Sequence, residues 1–324
     1  MIIVTGGAGF IGSNLVATLN AQGRSDIVIV DVLGSEGKWR NIAKSRFVDI
    51  VFPDEVEAFL AGRPAADAVF HMGANSSTTA TDADDILRTN LRSSMQWWRW
   101  CARTRTPLIY ASSAATYGDG AQGFLDDVET LDGLRPLNLY GWSKHAFDRW
   151  ALGAEAGGES PPHWAGLKFF NVYGPNEYHK GDMQSLVAKN AAIIAAGDPV
   201  TLFRSHKDGY ADGEQLRDFV YVADCVSVML WLWQQAGTSG LFNLGTGAAR
   251  SFKDLMEATA AAAGKPLEVQ YRDMPLSIRA NYQYFTQAEM GKLRQAGYDK
   301  PFWTLEQGVA DYVGNHLLTA DAYR

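Results

Sequence analysis

The segment Thr5-Gly-Gly-Ala-Gly-Phe-Ile-Gly12 limits what this chain can fold into more than any other. It follows the apolar run Met1-Ile-Ile-Val4 and leads into a helical stretch, residues 10–22. Glycines at Gly6, Gly9 and Gly12 permit a tight turn and let backbone amides approach a ligand closely. A helix beginning there points unpaired N–H groups and the positive end of its dipole at that ligand, which suits a pyrophosphate. Asp31 closes the second apolar run, residues 26–31, where an acid meets the ribose of a bound dinucleotide. Asp31 alone would repel a 2′-phosphate, whereas Lys38, with Arg40 near it in the next loop, would neutralise one. The residues predict a nicotinamide dinucleotide and leave NAD and NADP both open.

Short apolar runs alternate with helical stretches through the first half. Strand-like residues 26–31, 67–74, 107–114 and 164–174 are separated by helical residues 54–60, 84–103 and 139–155. That alternation predicts an α/β fold, a doubly wound parallel sheet of the Rossmann type with ligands at the strand C-termini. After Asn171 the pattern is mixed. Helical residues 181–197, 221–235, 251–263 and 304–317 enclose short strands at 200–203, 241–245 and 267–271. Residues 1–170 read as a dinucleotide-binding domain to which later segments return, and 171–324 as a smaller mixed α/β domain, mainly for substrate.

Charged residues make up 20% of the 324 and the net charge is −7, with no Lys/Arg block, which argues against nucleic acid as a partner. No apolar run approaches the ~20 residues needed to cross a bilayer. No signal-peptide pattern precedes the first strand. A cytoplasmic protein without a membrane partner is expected. Cys101 and Cys225 lie in separate apolar helical segments and read as reduced packing residues, so no metal is expected.

Tyr140 and Lys144 stand four apart on a helical stretch and share one face. A free tyrosine titrates near ~10, and a nearby ammonium favours the phenolate. The pair therefore suits proton removal from an alcohol. Ser113, at the end of the strand-like run before it, is placed to hydrogen-bond a substrate hydroxyl or carbonyl, with Lys144 on the nicotinamide ribose.

Glycine fingerprint, strand-end serine and Tyr-x-x-x-Lys, in that order, resemble the extended short-chain dehydrogenase/reductase family, whose members act mainly on nucleotide sugars. Residues 170–175 (FNVYGP) look like that family's substrate-side strand end. Residues 217–224 (RDFVYVAD) look like its element whose arginine meets the sugar-nucleotide diphosphate, a task suited to a planar guanidinium. Within the family the chain is most similar to the epimerases of ADP-glycero-manno-heptose. That similarity runs through residues 1–14, 71–79, 110–118, 136–144, 169–181, 242–247, 281–290 and 296–302. The Glu177-Tyr-His-Lys-Gly181 stretch and the run from Tyr282 are specific to that group.

The resemblance implies an NADP-dependent isomerase that inverts C6 of the heptose through a 6-keto intermediate, feeding the inner core of lipopolysaccharide. It also implies a homo-oligomer, often a pentamer. Proton transfer on both faces of the sugar needs two acid/base groups, and the matching positions are Tyr140 and Lys180. The same matching places Gly6, Gly9, Phe10, Ile11, Gly12, Asp31, Lys38, Met72, Gly73, Ala74, Asn75, Ser76 and Asn90 around the cofactor. Tyr140, Lys144, Val172 and Lys180 fall at its nicotinamide end. Ser113, Asn171, Asp182, Lys189, Phe203, Arg217 and Tyr282 fall at substrate positions. Asp182 and Lys189 depart from the serine and histidine of the pattern, Asn75 from a cysteine, and residues 204–214 are longer than usual. The alternatives are a UDP-hexose 4-epimerase, a 4,6-dehydratase and a nucleotide-sensing protein without catalysis. The dehydratase is disfavoured because Ala114-Ala115-Thr116 stands where an Asp-Glu pair would be needed.

Overall fold

The computed structural model describes residues 1–279 and 282–324, so Asn281, which opens the aromatic run 281–290, lies outside the described residues. In chain order the strands are β1 (Ile2–Thr5), β2 (Ile27–Val30), β3 (Asp49–Val51), β4 (Ala68–His71), β5 (Leu108–Ser113), β6 (Trp164–Phe169), β7 (Asn171–Tyr173), β8 (Val200–Phe203), β9 (Leu216–Tyr221), β10 (Gly240–Leu244), β11 (Ala249–Ser251) and β12 (Val269–Arg272). Seven form one parallel sheet in the order β10-β6-β5-β4-β1-β2-β3. The chain winds outward from β1 in one direction and from β4 in the other. The sheet is therefore doubly wound, and its crevice opens where β1 and β4 part, at their carboxyl ends.

Both faces are covered, as a parallel sheet requires. Helices Phe10–Ala21 and Val222–Gln234 bury Leu15, Val16, Met229 and Leu232 against Ile2, Val4 and Phe70. Helices Ser93–Thr104 and Leu139–Ala156 bring Trp97, Trp98 and Phe147 onto Tyr110 and Trp164. Val222–Gln234 and β10 come from beyond residue 170 and complete these layers.

The remaining strands make a three-stranded sheet, β11-β9-β7, and a two-stranded one, β12-β8. These pack with helices Leu186–Ala196, Phe252–Ala262 and Leu305–Tyr312 around Val187, Phe219, Leu255 and Val309.

Three sequence-based elements differ in detail. Residues 164–174 break at Phe170, whose amide bonds the Leu244 carbonyl at 3.0 Å, and the chain passes from the large sheet to the small one. The stretch 84–103 contains a wide π turn, Leu87–Arg92, between helical segments. The stretch 181–197 starts later, at Leu186, because Gly181 takes a non-helical conformation and the Ser185 side chain caps the helix by accepting the Ala188 amide.

Candidate active site

A cavity of about 570 Å³ lies at the carboxyl edge of the large sheet, within the range of small-ligand sites. Gly6, Gly9, Phe10, Ile11 and Gly12 form one wall. Gly6 has φ +63°, and a Cβ there would lie 2.7 Å from the Gly73 amide nitrogen. A Cβ on Gly12 would lie 2.1 Å from the Gly6 carbonyl oxygen. Only glycine lets β1, the turn and the helix approach this closely. The helix Phe10–Ala21 has Gly9 at its N-cap with no side-chain cap, which leaves its first amides for a ligand.

Asp31 is buried beside this turn. Its Oδ2 accepts the Ala8 amide at 2.9 Å and its Oδ1 the Val32 amide at 2.8 Å. Lys38 Nζ reaches the same Oδ1 at 2.5 Å and also donates to the Val32 carbonyl. Met72, Gly73, Ala74 and Ser76 line the opposite side. An open glycine cradle, uncapped amides and an acid beside a lysine fit a dinucleotide.

Ser113, Tyr140 and Lys144 line the same cavity. Asn138 caps their helix by accepting the Gly141 amide at 2.8 Å, which sets Tyr140 in the first turn, next to the end of β5. Burial pushes the Tyr140 hydroxyl above its ordinary pKa, while a hydrogen bond with Ser113 pulls it down. Burial also lowers Lys144 to about 8, against the Asp148 carboxylate, which raises it. The spacing argument expected the ammonium to lower Tyr140. In this site burial of the phenol, with the Asp148 carboxylate adding to it, sets the opposite direction.

Beneath these groups lies a polar network that the sequence reading missed. Asp148 and Lys168 are fully buried and 2.9 Å apart. Asp148 also accepts Tyr110 OH at 3.0 Å and Ser112 Oγ at 2.7 Å, and Lys168 donates to Thr116 Oγ1 at 2.9 Å. It joins the helix of Tyr140 and Lys144 to the strand of Ser113. Its signal was present: Tyr140, Lys144 and Asp148 recur every fourth residue, and Lys168 interrupts an apolar strand.

Lys180 enters the cavity from another element, the 3₁₀ turn Tyr178–Met183, with its Nζ 5.1 Å from the centre of the Phe10 ring. Burial lowers its pKa, the Glu177 carboxylate raises it and Lys189 lowers it further. Asn171, Val172, Asp182 and Lys189 also line the cavity, and Lys189 Nζ donates to the Asp182 carbonyl at 2.5 Å. Four lysines, Lys38, Lys144, Lys180 and Lys189, thus converge with two aspartates, a balance suited to a phosphate-rich ligand.

The other expected contacts lie outside this cavity. Asn75 turns its side chain to Asp85, and Asn90, from the π turn, holds the Asn75 backbone and Ser143 Oγ. Asn90 therefore shapes the wall through Asn75. Arg217 is buried without an ion pair to Asp218. Its guanidinium donates to the Leu216 and Gln283 carbonyls and lies 5.2 Å from the centre of the Tyr282 ring. Phe203 packs edge-on against Tyr282. Tyr282 lines a second cavity of about 480 Å³, with Phe124, Lys207 and Tyr284.

A family model described as the NAD dependent epimerase/dehydratase family matches residues 2–245. The ADP-L-glycero-D-manno-heptose-6-epimerase of Nitratidesulfovibrio vulgaris is 50% identical over 328 aligned positions, covering 100% of both chains. The solved Helicobacter pylori ADP-L-glycero-D-manno-heptose-6-epimerase superposes with a TM-score of 0.80 at 28% identity, over 97% of this chain and 95% of that one. The UDP-glucose 4-epimerase of Thermus thermophilus, solved in complex with NAD, gives 0.72 at 27% identity over 97% of each chain.

Proposed function

The chain belongs to the NAD dependent epimerase/dehydratase family, and from that premise we propose that it converts ADP-D-glycero-D-manno-heptose to ADP-L-glycero-D-manno-heptose by inverting C6. The observation that carries this reading is the meeting of Tyr140 and Lys180, from two separate elements, in one cavity beside the glycine turn. The full-length similarity to a heptose epimerase supports it.

A nicotinamide dinucleotide, when bound, accepts a hydride from C6 and returns it to the other face. The Gly6–Gly12 turn would hold its pyrophosphate, Asp31 its adenosine ribose and Lys144 its nicotinamide ribose. NADP is the proposed form, because the Lys38 ammonium on Asp31 supplies the positive charge that a 2′-phosphate needs. Epimerisation removes a proton from the C6 hydroxyl on one face and restores one on the other. Tyr140, held protonated by burial and bonded to Ser113, suits the acid role at rest. Lys180, with its ammonium destabilised by burial, suits the base role. The roles exchange when the reaction runs backward.

Among the described residues no helix is long and apolar enough to cross a membrane; the cytoplasm is the proposed compartment, where a nucleotide-sugar substrate would be met. Incubation with each heptose epimer, with C6 configuration followed by NMR, tests the proposal. Y140F and K180M should each lower interconversion at least ~100-fold, in line with loss of a positioned acid or base. Turnover of UDP-galactose without heptose interconversion would overturn it in favour of a 4-epimerase.

A further inference from the structure

Glu177, in the turn that carries Lys180, has no part in the chemistry above, yet it is fully buried at 0% exposure. A buried carboxylate needs partners to offset its desolvation. Glu177 Oε2 accepts the Ser185 amide at 2.6 Å. Its Oε1 accepts Ser185 Oγ at 2.7 Å and the Gly174 amide at 3.4 Å. These partners bracket the turn. Gly174 follows β7, and a Cβ there would lie 2.5 Å from Val222 Cγ1, so its position is fixed. Ser185 caps the helix Leu186–Ala196. The chain between them is drawn into a closed clip with Lys180 near its apex, and the Lys180 amide bonds the Glu177 carbonyl at 3.0 Å.

We propose that Glu177 is a positioning residue for Lys180, tying both ends of its turn and keeping a buried carboxylate within the same short clip. This rests on Lys180 as the second proton carrier. A glutamate suits the place because every neighbour on its carboxylate is a donor. Burial raises the Glu177 carboxyl above its ordinary pKa, while Lys180 and the Ser185 and Gly174 donors pull it down; as a carboxylate it opposes the two influences that favour neutral Lys180, burial and the Lys189 ammonium. The other titratable groups beside the clip are His179 and Asp182 on the same turn, Tyr178 next to Glu177 and Tyr312 from helix Leu305–Tyr312. Asp182 is exposed, so Glu177 is the buried carboxylate of the clip.

Two variants separate charge from tether. E177Q keeps the shape and most of the bonding: its carbonyl can take the Ser185 amide while its NH₂ meets Ser185 Oγ, which also accepts. S185A keeps the charge and removes one tie. Reductive ¹³C-methylation, with the Lys180 signal assigned by K180M, reads the protonation midpoint of Lys180 by NMR without reference to turnover. In E177Q the midpoint should fall by about one pH unit or more, with kcat reduced at least tenfold in the direction in which Lys180 gives its proton and cofactor Kd within threefold. In S185A kcat should fall with the midpoint unmoved. An unmoved midpoint in E177Q, or wild-type kcat in either variant, would overturn the proposal. If E177Q does not fold, the S185A rate decides. Full activity in K180M would instead refute Lys180 as proton carrier, while the midpoint still judges whether Glu177 sets its charge.

Discussion

Breaking the Asp148–Lys168 pair is the perturbation whose size the structure defines best. Both side chains are 0% exposed and their charged atoms are 2.9 Å apart. In D148N the amide oxygen would turn toward Ser112 and Lys168, which both reach Oδ2, leaving the NH₂ toward Tyr110 OH at 3.0 Å. A hydroxyl can rotate to accept, so the hydrogen bonds largely survive. What is lost is the counter-charge of Lys168, and an uncompensated buried charge costs about 3–5 kcal/mol. At roughly 1.5 °C per kcal/mol for a chain of this size, Tm should fall by roughly 4–7 °C. K168M should cost a similar amount by stranding Asp148. The double variant D148N/K168M carries no charge at either of these two positions and should cost less than the sum of the two by at least ~2 kcal/mol. Equilibrium urea unfolding of all four proteins, at one protein concentration and with cofactor in fixed excess, gives the cycle. Additive costs, or a single-variant cost below ~1 kcal/mol, would refute the reasoning, because the pair would then not act as coupled buried charges.

Three further outcomes follow from particular contacts. K38A removes the ammonium that lies on Asp31, so fluorescence titration should show NADP affinity falling at least ~10-fold and NAD affinity changing less; equal losses would argue against a 2′-phosphate site. G12A places a Cβ 2.1 Å from the Gly6 carbonyl oxygen, and the displaced turn should abolish measurable cofactor binding by calorimetry. Burial raises the Asp224 carboxyl to about 6, above its ordinary value, so the folded state holds that proton more tightly than the unfolded state. The resulting stability is present below ~4 and lost as pH rises through ~6. D224N, which can still accept the Trp303 amide, should lose this pH dependence and be the more stable protein above pH 7 in thermal unfolding.

The parts of this site that were legible in the sequence are those fixed by short-range geometry. Gly6 and Gly12 are six residues apart, and the clash a Cβ on Gly12 would meet lies within the turn they share, whereas the one at Gly6 is with Gly73 beyond β4. Tyr140 and Lys144 are neighbours on any helix. Lys180 is different. Its place depends on the chain leaving one sheet for another at Phe170 and on Glu177 closing the clip between Gly174 and Ser185. Those bonds have no local pattern, so only resemblance to a family pointed to it. The π turn Leu87–Arg92 was equally hidden, because Asn90 there serves Asn75 and Ser143, fifteen and fifty-three residues away.

Tyr140 shows the same division within a single side chain. Helix spacing predicted a pKa lowered by an ammonium, yet burial by the layers packed around the phenol, with the Asp148 carboxylate, raises it. The same burial lowers Lys144 and Lys180. Desolvation therefore moves phenol and amines apart in proton affinity: the phenol holds its proton and the amines release theirs more readily. For the proposed epimerisation that separation sets the resting state, because it leaves the proton on Tyr140 and an amine ready to accept one, so that removal by Lys180 can be followed by donation from Tyr140.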